Sequence, residues 1–503
     1  MTPPLPRGAA VFLQAHSQYR GVLLGIARRL KARYGAEVHL FVTNPEQAAH
    51  YRRVDGEGLF ADIVPADLLY RACTEPVTDA AAVRAAARAN EAYLGLTINE
   101  LAMVDRHLGR GYSLAGFYHP RSRMSEDTDY DGMLHGFNRQ IEFWRATFDK
   151  RKPALVINTA KIPTLIARRL GVPMRRLAAS RFRNLYYWAH NEFLESGEIA
   201  DAFASLPGDA GLDIEAPADG HLQARAATSR SLSLAGASRE AATILLQRLY
   251  WRARGYTKGR SYYMRDEIAM ALRQYRDMRR LQRQARTTLA DLEGKDFVFY
   301  PLHVEPEFAL QNLSPEFFFQ LAAIAALARD LPAGTLLAVK EHLAAIGRRP
   351  TEFIDQIASF KNVVLIRADE HGQSVVRRAR AVATITSSAG FEAAVLGKPV
   401  VTFGRHNVFG FLPHVRMVRD FADVKRALAD ALSPSFDAER ARRDGRRFLA
   451  AMAACSFDLA AFDYLKPDIV EDTTVEQATA ALVRSLAYGI GAAAPVPRAE
   501  AVA

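Results

Sequence analysis

The sequence predicts an α/β protein with two doubly wound parallel-sheet domains joined by a helical connector. Short apolar runs alternate with helical stretches in both halves of the chain. Polar residues directly follow several of these runs, as they do at the carboxyl edge of such sheets. With 503 residues, the chain is also too long for one ordinary hydrophobic core.

The first half opens with a strand–helix–strand pattern, which favours parallel strands. The predicted elements of this half are strands at 9–13, 37–42 and 154–158 and helices at 21–34, 81–108, 132–150 and 162–170. His16 follows the first strand, so we expect its side chain at the carboxyl edge of the sheet.

Residues 112–131 are rich in Tyr, Ser, Arg and Asp and predict a long polar loop. Long loops in enzymes often carry function. Two cations of this loop, His119 and Arg121, are candidate ligands of an anionic substrate.

The connector has two parts. Residues 197–238 lack apolar periodicity, which predicts a mobile insertion or linker. Residues 239–292 predict basic helices with a break near 255–259, where arginines and aromatic residues are mixed. The connector is either a solvated helical spacer or a surface that contacts the acidic face of a membrane.

The second half repeats the α/β pattern more clearly. Its predicted elements are strands at 297–302, 336–339, 362–366, 381–385 and 400–403 and helices starting at 314, 372 and 421. Ser314 and Pro315 predict the first of these helix starts, with serine as the N-cap. The polar residues that follow the strands are His303, Glu305, Lys340, His342 and Thr386.

Residues 384–401 predict a buried strand, a hydroxyl-rich turn, a short helix and another strand. Thr386, Ser387 and Ser388 would lie at the helix N-terminus, where free backbone N–H groups and the helix dipole bind anions. Glu392 follows Ser388 by four residues on the same helix face, within reach of ribose hydroxyls. The segment therefore predicts a nucleotide-sugar site.

Composition limits the ligands, the cellular location and the cysteine chemistry that we expect. The formal charge of +11 and a pI near 9.6 favour anionic ligands, but no nucleic-acid motif accompanies them. No apolar run has the length of a membrane span, and the apolar run near the N-terminus is too short for a signal peptide, so we expect a cytoplasmic protein. Cys73 and Cys455 predict two free thiols, and their surroundings give no metal-binding spacing.

The predicted domains are 1–196 on the acceptor side, 197–292 as the connector, 293–435 for nucleotide-sugar binding, 436–491 as C-terminal helices and 492–503 as a disordered tail.

The second half resembles the capsule polysaccharide biosynthesis family of bacterial glycosyltransferases, which includes relatives of the β-Kdo transferases of capsule export. The matching segments are 300–307, 339–342, 362–366, 387–393 and 397–399. Residues 154–158 through Arg181 and Trp188 also resemble the end of the family's first domain. The resemblance implies a GT-B fold, with two Rossmann-like domains facing across a cleft and the donor bound mainly in the second domain. It also implies that no metal ion or other cofactor is required. His342 is followed by Leu343, where enzymes that use CMP-sugars often have proline.

The resemblance also implies how the remaining candidates would act. An inverting transferase needs a base to take the proton of the acceptor hydroxyl, and the candidates are His16, Asp127, Asp129 and Asp131. Arg181 and Arg183 join His119 and Arg121 as candidate acceptor ligands.

The expected substrates are a nucleotide-sugar, either CMP-Kdo-like or a UDP- or GDP-sugar, and a saccharide or lipid-linked acceptor. Two other functions stay open. One is a nucleotide-sugar epimerase of the same architecture, and the other is a non-catalytic component that binds or exports polysaccharide.

Overall fold

The computed structural model describes residues 5–16, 19–55, 58–103, 105, 108, 128–215, 233–253, 264–305, 310, 313–404, 407–459 and 470–488. The polypeptide divides into two compact units. The first contains Met1–Ile98, Thr128–Leu206 and Ala450–Ala503, and the second contains Asn99–Asp127 and Pro207–Leu449.

The strands of the first unit are β1 (Ala10–Gln14), β2 (Glu37–Val42), β3 (Asp62–Pro65), β4 (Leu155–Ile157), β5 (Met174–Ala179), β6 (Leu185–Ala189) and β13 (Phe457–Asp458). They form one sheet in the order β13-β6-β5-β4-β1-β2-β3. Strand β6 runs antiparallel to both of its neighbours, and the other pairs are parallel. Apolar side chains on the sheet strands, such as Val11, Leu40 and Ile157, form its core.

Along the first 206 residues, the helices are α1 (Arg20–Tyr34), α2 (Pro45–Val54), α3 (Leu69–Ala72), α4 (Ala80–Leu94), α5 (Ile98–Met103), α6 (Tyr130–Arg151), α7 (Lys161–Arg169) and α8 (Gly197–Ser205). The predicted helix at 81–108 is therefore broken. Gly95 ends α4 in the left-handed conformation, with φ of 74°, before α5 begins.

The second unit has an all-parallel sheet. Its strands are β7 (Phe297–Pro301), β8 (Leu336–Lys340), β9 (Val363–Ile366), β10 (Ala381–Thr384), β11 (Val400–Phe403) and β12 (Val415–Val418). Their order is β12-β11-β10-β7-β8-β9. Buried apolar residues such as Val298, Val339 and Ala383 fill its core.

Along the rest of the chain, the helices are α9 (Leu234–Ala253), α10 (Met264–Gln284), α11 (Gln320–Asp330), α12 (Phe353–Ala358), α13 (Gly372–Arg378), α14 (Ser388–Val395), α15 (Val424–Ala431), α16 (Ala438–Cys455) and α17 (Asp472–Ser485). The segment 197–238, predicted as a mobile insertion or linker, contains α8 and the start of α9. The two halves of the basic connector are α9 and α10.

The predicted helix start at Ser314 is wrong. The Ser314 hydroxyl donates to the carbonyl of Phe403 at 3.0 Å, and the backbone N–H of Ser314 donates to the carbonyl of Leu310 at 3.1 Å. Residues 315–317 form a turn, and α11 begins at Gln320.

The C-terminal region was predicted to be helical throughout. It also contributes the short strand β13 to the first sheet, beside β6. Helix α17 completes the same unit, since the Arg175 guanidinium of β5 donates to the hydroxyl and the carbonyl of Ser485, at 2.8 and 2.6 Å. The Trp188 indole donates to the carbonyl of Ala478.

The predicted α/β class with two doubly wound units is confirmed. In both sheets the first three strands run to one side and the fourth begins on the other side of the first strand, so each has a topological switch point. The switch lies between β1 and β4 in the first sheet and between β7 and β10 in the second.

Candidate functional sites

The switch point of the second sheet brings together two of the predicted segments. Ligands of open α/β sheets bind outside the carboxyl ends of the strands at this position. His303 and Glu305 follow β7, and Thr386, Ser387 and Ser388 follow β10, which is the neighbouring strand.

His303 ties the two strand ends together and is buried. Its Nε2 accepts the backbone N–H of Thr386 at 2.8 Å, so this nitrogen carries no proton. Its Nδ1 lies 3.1 Å from Oε1 of Gln320 and donates to it. The ring is therefore a neutral tautomer that holds the loop after β10, which is a structural role beside the predicted ligand role.

Helix α14 begins where the sequence predicts an anion site. Ser387 is its N-cap residue, with an extended backbone, and Ser388 is the exposed first residue of the helix. The Thr384 hydroxyl donates to the Ser387 hydroxyl at 2.7 Å and accepts the Ser387 N–H at 3.1 Å. These bonds fix the direction of the turn, and Thr386 is buried within it.

Gly390 allows α14 to approach β10 closely. A Cβ atom at this position would lie 2.7 Å from Cγ2 of Thr384 and 3.2 Å from Cζ of Phe409. The backbone N–H of Gly390 donates to the carbonyl of Ser387 at 3.2 Å. Glu392 is half-buried one turn further along α14.

Arg349 organises a buried charge cluster beside this site. Its guanidinium donates to both carboxylate oxygens of Glu341, to Oε2 of Glu305 at 2.7 Å and to the carbonyl of His303 at 2.6 Å. Arg349 and the two glutamates are at most 5% exposed. The cluster therefore fixes the ends of β7 and β8 relative to each other.

Glu305 is the least satisfied member of the cluster. Among the described residues, its Oε1 has no hydrogen-bond partner. Burial raises the pKa of Glu305 to about 7, and the Arg349 guanidinium only partly opposes this. One arginine serves two carboxylates, so a proton on Glu305 would neutralise the cluster.

Sequence reasoning identified Glu305 but missed Arg349 and Glu341. Arg349 lies in the Arg348-Arg349-Pro350 stretch, which has the composition of a solvated turn. Its partner Glu305 is 44 positions away, so the sequence contains no local signal of the pair.

Lys340 and His342 follow β8. The Lys340 ammonium is buried and donates to the carbonyls of Ala368, at 3.0 Å, and Glu341, at 3.3 Å. The exposed His342 imidazole accepts the backbone N–H of Ala344 through Nδ1 and caps a short 3-10 helix. The Lys340 ammonium is therefore held in one position. In His342 the cap uses Nδ1 and does not involve Nε2.

The switch point of the first sheet contains His16. Gln14 of β1 accepts the backbone N–H of Ala160, which follows β4, at 2.6 Å. His16 stacks on Tyr19 with ring centroids 4.8 Å apart. Part of the ring is exposed, but desolvation of the rest and the Arg176 guanidinium lower the pKa of His16.

Unusual backbone conformations occur at the same edge of the first sheet. Asn158 after β4 and Arg181 and Arg183 after β5 have φ values of 57°, 64° and 50°. Non-glycine residues rarely adopt this left-handed conformation, and such strain is often found at functional sites. Both arginines are exposed, as a role in acceptor binding requires.

Asp129 and Asp131 have structural roles. Asp129 is the N-cap of α6 and accepts the N–H of Gly132 at 2.7 Å. Asp131 pairs with Arg84 at 2.7 Å, and this hydrogen-bonded guanidinium lowers the pKa of Asp131. The candidates His119, Arg121 and Asp127 lie outside the described residues.

Residues 228–411 match the sequence profile of a family described as capsule polysaccharide biosynthesis protein. The chain therefore contains a domain of this family, as its motifs predict. The match includes β7 to β11, the cluster around Arg349 and the start of α14. No curated protein is significantly similar in sequence.

Solved structures give weaker similarities. The Thermosulfurimonas dismutans KpsC β-Kdo 2,4-transferase is 14% identical, over 56% of this chain and 79% of its own, with a TM-score of 0.28. The β-Kdo 2,7-transferase of the same protein is 15% identical over 69% and 89%, with a TM-score of 0.29. A Listeria monocytogenes UDP-N-acetylglucosamine 2-epimerase is 9% identical over 88% and 93%, with a TM-score of 0.25. At these values, the similarities define no activity for this chain.

The described residues also bear on membrane spans, metal binding and disulfides. None of their helices is both long and apolar enough to span a membrane. No group of three or more His, Cys, Asp or Glu side chains is arranged to hold a metal ion. Cys73 and Cys455 are buried, and neither is in a disulfide.

Proposed function

We propose that this protein is a glycosyltransferase of capsule or related surface polysaccharide synthesis. It would move a sugar from a nucleotide-activated donor, CMP-Kdo-like or a UDP- or GDP-sugar, to a saccharide or lipid-linked acceptor. One observation carries the proposal: an exposed, hydroxyl-bearing helix start lies at the switch point of a sheet that belongs to the capsule biosynthesis domain.

The donor phosphate is proposed to bind at the start of α14, to the hydroxyls of Ser387 and Ser388 and the backbone N–H groups of the first turn. Negative charge grows on the leaving phosphate during transfer, and fixed dipoles aimed at it lower the barrier. Glu392 would accept hydrogen bonds from the ribose hydroxyls. His303 would position the loop, while Lys340 and His342 would supply positive potential beside β8.

The base and the acceptor site are proposed in the first unit. His16 is the preferred base among the candidates, because its lowered pKa keeps the imidazole neutral and able to take a proton. Arg181 and Arg183 would bind an anionic acceptor. The transfer is proposed to be inverting and to need no metal ion or other cofactor, so a chelator should leave turnover unchanged.

The first experiment is a thermal-shift panel of CMP, UDP and GDP, in which the correct nucleotide raises the melting temperature. Ser388→Ala and Glu392→Ala should then weaken its binding without lowering the melting temperature of the free protein. Glu439→Ala is the matched control, since Glu439 is 70% exposed on α16. Unchanged affinity in both site variants would remove the donor-site assignment.

Product analysis separates the other functions. Conversion of the donor without any acceptor would indicate an epimerase. Saccharide binding with no nucleotide affinity would indicate a non-catalytic binding or export component. The protein is proposed to work in the cytoplasm at the inner face of the membrane, as a lipid-linked acceptor would require.

A further inference from the structure

Helix α9 exposes a continuous apolar face. Leu245, Leu246, Leu249 and Tyr250 are 42%, 66%, 55% and 57% exposed. The spacing i, i+1, i+4, i+5 places them on one side of the helix, and the exposed Ala242 and Ala253 extend the stripe at both ends. Contiguous apolar surface of this kind marks a site of interaction.

The opposite side of α9 is occupied. Ala237 is buried, and Ala241, Ile244 and Arg248 are half-buried along that side. Arg248 pairs with Glu267 of α10 at 2.8 Å. The apolar stripe, 242–253, therefore faces away from α10.

Helix α10 is fixed to the second unit, so the stripe is presented on a rigid support. Met278 and Leu281 belong to the core of that unit. Arg273 donates to the carbonyl of Gly347 at 3.0 Å. A Cβ atom on Gly347 would lie 2.9 Å from the backbone nitrogen of Gln274, so the contact is close.

The helix pair that carries the stripe is strongly basic. Together α9 and α10 contain nine arginines and four acidic residues, in a chain of net charge +11. Arg265, Arg276, Arg279 and Arg283 of α10 are exposed. Two copies of this surface would repel each other, whereas the phosphates of an anionic bilayer would attract it.

We infer that the apolar stripe of α9 inserts into the headgroup–acyl boundary of an anionic lipid bilayer, to which the net positive charge of α9 and α10 attracts the protein. An exposed apolar helix face in a strongly basic segment is typical of a helix that lies in the membrane interface. The inference rests on the proposed function, because it specifies which surface makes the proposed contact with the membrane. It can still be tested without nucleotide or acceptor.

The test is co-sedimentation of the full chain with vesicles of phosphatidylglycerol and phosphatidylcholine in equal parts, compared with phosphatidylcholine alone. Leu245→Gln/Leu249→Gln should reduce partitioning to the mixed vesicles by about tenfold or more, because it removes apolar area that the lipid would bury. Gln247→Ser, on another face of α9, is the matched control and should bind as the parent chain does. Arg276→Gln/Arg279→Gln should weaken binding and reduce its dependence on salt.

Three results would overturn the inference. The first is equal partitioning of the parent chain and Leu245→Gln/Leu249→Gln, and the second is no partitioning of the parent chain. The third is a solution dimer that this double substitution dissociates, because a second copy would then cover the stripe. The nucleotide thermal shift should persist in the double variant, so loss of vesicle binding and failure of the donor-site assignment remain distinguishable.

Discussion

Changing Glu305 to glutamine should remove a large part of the pH dependence of the stability of the second unit. Burial raises the pKa of this carboxyl from an ordinary value of 4.5 to about 7. Between these values the folded state binds a proton that the unfolded state has released. Stability from this group is therefore full below pH 4.5 and is lost as the pH rises to about 7.

The size of the effect follows from the shift. Each pKa unit corresponds to about 1.4 kcal/mol, so the wild-type protein should lose about 3 kcal/mol of unfolding free energy from this group between pH 5 and pH 8. Glu305→Gln cannot titrate and should not show this loss. Titrating groups far from this cluster contribute equally to both proteins and cancel in the difference.

Hydrogen exchange of amides in β7 and β8, measured at pH 5 and pH 8, would resolve the opening free energy of the second unit from that of the first. Glu439→Gln, at an exposed position, should keep the wild-type pH dependence. If Glu305→Gln and the wild-type protein have the same slope, the cluster around Arg349 does not hold a protonated glutamate and the reasoning fails.

Three other changes test the packing around the candidate sites. Gly390→Ala places a methyl group against Thr384, so it should lower the free energy of unfolding by about 1–3 kcal/mol and weaken nucleotide binding. Gly208→Ala is the control, because the added atom meets open space, and it should change neither the melting temperature nor nucleotide binding. Arg349→Met leaves two buried carboxylates without their cation and should lower the free energy of unfolding in urea by about 3–5 kcal/mol. A decrease of less than about 1 kcal/mol would contradict the buried ion pairs. Asp129→Ala removes the N-cap of α6 and should cost about 1 kcal/mol with turnover retained, whereas a large loss of turnover at unchanged stability would make Asp129 the base instead.

The strands of the second sheet could be predicted because each is a short apolar run bounded by polar or glycine residues. The run at 400–403 is β11 with the same limits, and the serine-rich turn before α14 is a local signal for a helix start. The same rule failed at Ser314, whose hydroxyl bonds to a carbonyl 89 positions away. Local capping preferences can be read from sequence, but the distant contact that orients a serine side chain cannot.

The buried charge cluster shows a second limit. Charged residues are usually exposed, so Glu305, Glu341 and Arg349 carry no sign of burial in the sequence. Only the parallel alignment of β7 with β8 brings them together. The two-residue strand β13 was missed for a related reason, because a strand of that length has no periodicity to detect.

The return of the chain to the first unit has a consequence for biosynthesis. During synthesis, Ser485 and β13 leave the ribosome only after the whole second unit. Until then, Arg175 lacks its contact with Ser485, and β6 lacks its pairing with β13. The amino-terminal unit can therefore complete these contacts only after the second unit has been made, and in the interval it would present a cation and a strand edge that are later covered. A truncation or a bulky tag near residue 485 should therefore damage the amino-terminal unit first.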